Sequence, residues 1–322
     1  MIITRTPFRV SFAGGGSDLS AFYVKNGHGA VVSAAIRKYM YISIHPYFHD
    51  KIRIKYSRTE DVEDIGEIKH PIVRECLKKV KIDKGVEIAS FADVPAGTGL
   101  GSSSAFTVGL LHALYAYKGK KITTEKLARE ACEIEIDILK EPIGKQDQYA
   151  AAYGNVNFFK FNRDETVDIL PIPLTKSLER KLEQNLCLYY IGGARDARVV
   201  LSEQKNNMNF EHKFNILKKI LILTEEFRHI LRKEDMAKIG DALHKEWLYK
   251  KELSSKISDD GIDRFYEDSM KYGALGGKLL GAGGGGFFLL CSENHKKIRE
   301  RSNCKILPFE IDKEGTKIIF HE

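Results

Sequence analysis

The run Asp93-Val94-Pro95-Ala96-Gly97-Thr98-Gly99-Leu100-Gly101-Ser102-Ser103-Ser104-Ala105 constrains this chain more than any other stretch. A strand-like segment at 86–92 precedes it, and residues 106–117 follow with apolar side chains at helical spacing. The glycines and serines are therefore placed at a helix N-terminus. Such an end is an anion site: Gly97, Gly99 and Gly101 let backbone approach a ligand, and the free N–H groups of the first turn favour phosphate oxygens. Ser102, Ser103 and Ser104 add hydroxyls that can cap the helix, bind phosphate or reach a Mg²⁺. A plain glycine loop with a serine cap is the alternative. The commoner phosphate loop, G-x-x-x-x-G-K-[ST], is excluded because its lysine is missing.

At 322 residues, 43% hydrophobic and 30% charged, the chain suits globular domains with full cores, and two are expected, divided near residue 160 into 1–160 and 161–322. The net charge of +7 favours anionic partners. The lysines are scattered over helical segments without interleaved aromatics, which argues against nucleic acid and leaves a nucleotide or phosphorylated small molecule. Five widely spaced cysteines without a C-x-x-C pair read as buried thiols in a reducing compartment. With no apolar segment of signal-peptide or membrane-spanning length, the expectation is a cytoplasmic protein with no membrane partner.

Along the chain, residues 2–12 read as a strand entering Ala13-Gly14-Gly15-Gly16-Ser17-Asp18. A short helix at 19–25 follows, capped by Ser17. Asp18 either complements that helix dipole or meets a small polar ligand that the glycines admit. Strands at 30–36, 40–47 and 52–56 form a meander, and 86–92 returns to the sheet. Strands first and helices later give an α+β class. A helix at 124–140 carries Glu125, Glu130, Glu133, Glu135 and Asp137 and breaks before Gly144-Lys145-Gln146-Asp147-Gln148. Residues 186–191 lead to Gly192-Gly193-Ala194-Arg195-Asp196-Ala197-Arg198, a second helix start with arginines. Helices at 214–232, 235–253 and 261–272 are core scaffolding, with Trp247 inside. Strands near 305–311 and 317–321 complete a C-terminal layer. Gly281, Gly283 and Gly286 spell G-x-G-x-x-G, but a dinucleotide fingerprint needs a strand before it and a helix after it. Here a helix is expected before and a strand, 287–291, after.

The Gly/Ser stretch, the block from Arg5 to Asp18, the Gly144–Gln148 segment and Lys278-Leu279-Leu280-Gly281-Ala282-Gly283-Gly284-Gly285-Gly286-Phe287 together resemble the GHMP kinase superfamily. That resemblance implies a two-domain fold, an N-terminal ribosomal-protein-S5-domain-2-like α+β domain and a C-terminal ferredoxin-like α+β domain. It implies ATP on Pro95, Gly97, Gly99, Leu100, Gly101 and Ser102 to Ser104, and an acceptor site lined by Gly15, Gly16, Ser17 and Asp18. Asp147 matches the base that accepts the acceptor-hydroxyl proton. Arg9 lies beside it and holds it ionised, so Asp147 acts chiefly by positioning. Mg²⁺ is implied on Ser103 and a helix carboxylate. Glu135 fits best, one residue off the usual spacing, with Glu133 as competitor. Gly283 and Gly284 belong to the loop packing on phosphate loop and substrate.

Within the superfamily the motifs look most like the branch acting on heptose 7-phosphate, with fucokinase-like motifs next. The branch implies ATP-dependent phosphorylation of the anomeric hydroxyl. Arg5, Lys145, Arg195 and Lys278 would suit a substrate that already bears a phosphate. The expected partners are ATP and a sugar phosphate, with a homodimer left open. A catalytically silent sugar-and-nucleotide sensor is the reading from another class.

Overall fold

In the computed structural model, which describes residues 1–193, 203 and 210–322, two long antiparallel strands, β1 (Ile2–Ala13) and β2 (His28–Pro46), form the centre of the larger sheet. β2 replaces the two strands expected there. Arg37-Lys38-Tyr39 does not turn the chain: the register slips so that Pro7 faces Tyr39 while Phe8 faces Ile36. Pro7 has no N–H for the ladder, and the extra residues bulge opposite it. The bulge lets β2 serve two neighbours. Its first half pairs with β6 (Val156–Asn162) and its second half with β5 (Val86–Ala92).

The sheet runs β12-β1-β2-β5-β3-β4, where β3 is Ile52–Lys55, β4 is Thr59–Val62 and β12 is Lys317–His321. β6 carries β7 (Val167–Pro171) as a branch. The expectation that 317–321 completes the C-terminal layer is corrected, because β12 pairs with β1, His321 opposite Ile2. The first sheet therefore extends beyond residue 160 and takes one edge strand from the far end of the chain.

α1 (Ser20–Asn26) and α2 (Pro71–Val80) flank this sheet, and α3 (Ser102–Tyr117) runs beneath it, apolar nearly all round. Such a helix must be buried. The close approach is visible where Thr4 Oγ1 donates to the Gly109 carbonyl at 2.9 Å. A methyl group at Gly109 would sit 2.6 Å from Thr6 Oγ1. α4 (Thr124–Cys132) and α5 (Gln146–Tyr153) complete this half.

The second sheet is antiparallel, order β11-β8-β10-β9, from Lys305–Pro308, Leu186–Tyr190, Phe287–Cys291 and Gly276–Leu279. With it go α6 (Lys176–Asn185), α7 (Glu211–Arg232), α8 (Met236–Leu253), α9 (Asp260–Lys271) and α10 (Lys296–Arg301). Trp247 of α8 is fully buried, edge-on to Phe288 at 5.4 Å, which bears out its place in the core. β1 also meets this half: Lys278 of β9 donates to the Phe12 carbonyl at 3.2 Å. The site lies along that seam.

Candidate active site

Beyond β5 the chain passes through Gly99 and Gly101 at φ 83° and 74°, the left-handed region that favours glycine. Gly101 is the N-cap of α3 and offers no side chain, so the serine-capping alternative does not hold. Three serines then form the first helical turn, their N–H groups free in the way every helix start leaves them. They open into a pocket of about 360 Å³ shared with Gly97, Gly99, Arg9 and Asp147.

Arg9 of β1 and Asp147 of α5 meet at that pocket as a two-pronged pair, Nε to Oδ1 and Nη2 to Oδ2, both 2.7 Å. The remaining Arg9 nitrogen, Nη1, donates to the Gly99 carbonyl at 2.6 Å, and the Arg9 backbone N–H donates to the Leu100 carbonyl. One guanidinium thus locks the carboxylate and the glycine loop together. This is the charge-assisted fork for which arginine geometry is suited. Asp147 keeps 21% of its side chain exposed to the pocket, while Arg9 is buried.

Glu135 reaches the same place by an irregularity. After α4 the backbone widens into a π-helical turn, Glu133–Ile138, which absorbs one residue more than an α-helix does. It turns Glu135 inward to accept from Ser103 Oγ at 2.9 Å and Gln148 Nε2 at 2.7 Å. Glu133 faces away and pairs with Lys79 at 2.6 Å. Burial raises the Glu135 carboxyl to about 7, against the pull of its hydrogen-bond donors. A carboxylate so desolvated is suited to a cation that arrives with a ligand.

Asp18 is also buried at the pocket, accepting from the N–H groups of Gly16 and Gln146 at 3.0 and 3.3 Å. Burial, reinforced by the charge of Asp147, raises it to about 6. Gly144 makes room for it, since a methyl group there would lie 2.0 Å from Asp18 Oδ2. Gly15 and Gly16 line the pocket as expected. Ser17 does not. It is fully buried, donates to the Gly14 and Ala30 carbonyls and caps no helix, because α1 starts after Leu19.

The last glycine run joins β9 to β10 as an antiparallel hairpin, so a strand rather than the expected helix precedes it, and no helix follows. The dinucleotide geometry is absent for that reason. Gly283 lines the pocket, whereas the Gly284 N–H is spent on the Ile257 carbonyl. Lys278 lines the pocket too, its ammonium 3.2 Å from the buried Glu246 of α8. Lys250, one turn further along α8, is a pocket residue that sequence reasoning missed. A signal was present: Glu246 and Lys250 fall on the apolar stripe of Leu243, Trp247 and Leu253, where ionised groups are costly.

Other expected residues lie elsewhere. Arg5 pairs with Glu314 at 2.8 Å over the Tyr39 ring. Lys145 pairs with Glu165 in a neighbouring cavity behind Gly144. Pro95 is exposed at the loop base, its carbonyl taking the Thr98 hydroxyl. Leu100 is a core side chain that contributes only backbone. Arg195 falls outside the described residues. Among those described, no helix is long and apolar enough to cross a membrane.

Comparison with known proteins places the fold in a family. The GHMP kinases N terminal domain matches residues 68–155, and the GHMP kinases C terminal domain matches 227–305. The chain is 29% identical to a D-glycero-alpha-D-manno-heptose 7-phosphate kinase of Campylobacter jejuni, over 98% of both chains. It is 27% identical to a bifunctional fucokinase/GDP-fucose pyrophosphorylase of Arabidopsis thaliana, over 91% of this chain and 30% of that one. A solved D-glycero-D-manno-heptose 1-phosphate kinase from Bacteroides thetaiotaomicron shares the fold at TM-score 0.82, with 23% identity and full coverage of both chains. Since both halves match one family and the pocket forms where they meet, the chain belongs to the GHMP kinases and is an ATP-dependent sugar kinase.

Proposed function

We propose that the protein transfers the γ-phosphoryl group of ATP to the anomeric hydroxyl of D-glycero-D-manno-heptose 7-phosphate, giving the 1,7-bisphosphate. The mechanism rests chiefly on one observation: the Arg9–Asp147 fork anchored to the phosphate loop through the Gly99 carbonyl. It sets a carboxylate and the phosphate-binding helix start at a fixed separation, as phosphoryl transfer requires, since catalysis there is mainly positioning and charge stabilisation.

In this reading the N–H groups of Ser102 to Ser104 take ATP phosphate oxygens. Asp147 Oδ2 or Oδ1 accepts the acceptor-hydroxyl proton as the new O–P bond forms and the bond to ADP breaks. Asp18 holds a sugar hydroxyl. Glu135 and the Ser103 hydroxyl fit Mg²⁺, which takes few protein oxygens and leaves its other positions to water and phosphate. When bound, the ion would neutralise charge between the β- and γ-phosphates.

The heptose assignment is supported by the end-to-end likeness to the Campylobacter relative. The likeness to the Arabidopsis protein over most of this chain favours fucose as the second reading. ADP release with Mg²⁺-ATP against heptose 7-phosphate, unphosphorylated heptose, mannose and fucose separates them. Turnover with heptose 7-phosphate alone supports the proposal. Turnover with fucose alone sinks the substrate, and silence across the panel with ATP still bound moves the sensor reading to the front.

A further inference from the structure

Lys250 is a buried lysine that, among the described residues, touches no carboxylate. Its Nζ donates to the carbonyls of Leu279 and Gly281 at 2.7 and 2.6 Å, and among the described residues no carboxylate lies within 4 Å of it. Arg9 is matched by Asp147 and Lys278 by Glu246, so among the described residues Lys250 is the pocket-wall cation without a carboxylate in contact. Two carbonyls use two of its three N–H groups. Burial, with Lys278 and Arg9 nearby, outweighs the charge of Glu246 and holds its pKa well below the ordinary lysine range.

Its position is fixed by close packing. Gly281, whose carbonyl it holds, lies against Gly99, where a methyl group on Gly281 would come within 2.5 Å of the Gly99 Cα. Gly99 in turn accepts from Arg9, the partner of Asp147. A second observation points the same way. Ser11 lines the pocket, is 6% exposed, and its hydroxyl has no hydrogen-bond partner among the described residues. A buried hydroxyl without a partner costs stability unless a ligand supplies one.

We infer that Lys250 and Ser11 form a phosphate subsite, the ammonium supplying charge and the hydroxyl a hydrogen bond to an anionic oxygen. The inference rests on the kinase reading above. The oxygen belongs either to the transferring γ-phosphoryl group or to the phosphate a sugar phosphate already carries. The chemistry is shared, and the two sources are separable.

The test uses Lys250→Gln, whose amide N–H groups keep donors for the two carbonyls while removing charge, and Ser11→Ala, which deletes a hydroxyl that bonds nothing among the described residues. Titrations of ATP, ADP, heptose 7-phosphate and unphosphorylated heptose are compared with wild type. A loss of about 10-fold or more in the ATP-over-ADP preference in Lys250→Gln, with a smaller loss of the same sign in Ser11→Ala, assigns the γ-phosphoryl. The same loss confined to the sugar-phosphate preference assigns the substrate phosphate. Unchanged preferences in both variants overturn the subsite. If Lys250→Gln does not fold, Ser11→Ala decides alone by the same preferences. Wild-type turnover on the sugar panel is read separately, so a wrong sugar does not count against Lys250.

Discussion

Arg9 and Asp147 are 138 residues apart in sequence and joined by two hydrogen bonds of 2.7 Å, with Arg9 also gripping the glycine loop at the Gly99 carbonyl. Removing either partner has different consequences. Asp147→Asn loses the proton acceptor and one prong of the fork while Arg9 keeps the Gly99 carbonyl, so kcat should fall by about 10²–10⁴-fold with a much smaller loss of ATP affinity. Arg9→Met strands a carboxylate and frees the Gly99 carbonyl, so it should weaken ATP binding and lower the melting temperature as well. Steady-state kinetics with thermal melts separate the two, and an active Asp147→Asn enzyme would remove Asp147 as the base.

Glu135 and Glu133 differ in what they face, so their glutamine variants should differ in metal dependence. Glu135→Gln should raise the Mg²⁺ concentration for half-maximal rate by about 10-fold or more. Glu133→Gln, which loses only an ion pair with Lys79 at the surface, should match wild type. Rate against Mg²⁺ at saturating ATP reads this directly, and the opposite order would hand the role to Glu133.

The buried carboxyls of Asp18 and Glu135, raised to about 6 and about 7, make a stability prediction. Both values lie above those of an unfolded chain, so between about pH 4 and 7 the folded state holds protons the unfolded state has released. Stability of the ligand-free protein should therefore fall as pH rises through that window. Asp18→Asn and Glu135→Gln should each be more stable than wild type at pH 8, by on the order of 2 kcal/mol. The gain should vanish near pH 4. Denaturant melts at the two pH values test the sign, and a gain at pH 4 instead would contradict the burial argument.

Gly99→Ala should be costly and Gly15→Ala mild. A methyl group on Gly99 would lie 2.7 Å from the Leu280 carbonyl at a φ of 83°, whereas one on Gly15 meets nothing within 4 Å. The first should lose about 1–3 kcal/mol of stability and most activity. The second should keep its fold, measured by melting temperature, and any loss should appear in sugar affinity.

Several features of this protein were already set by local chemistry. Glycines before three serines at the start of an apolar helix leave free N–H groups wherever they fold, because those groups belong to the helix end itself. Trp247 in the apolar stripe of α8 and the short helix before Asn26 were legible for the same reason, since periodicity and turn residues act over a few positions. Other features depended on distant partners. Arg5 sits in a motif beside Arg9 yet pairs with Glu314, because β12 returns from the far end of the chain to the edge of β1. Glu135 rather than Glu133 faces the pocket because a π-helical turn rotates it there. Lys250 looked like scaffold until the hairpin from Leu279 to Gly281 closed over its ammonium. Strand pairing, helix rotation and burial of charge are settled by which segments meet, and only the tertiary structure decides that.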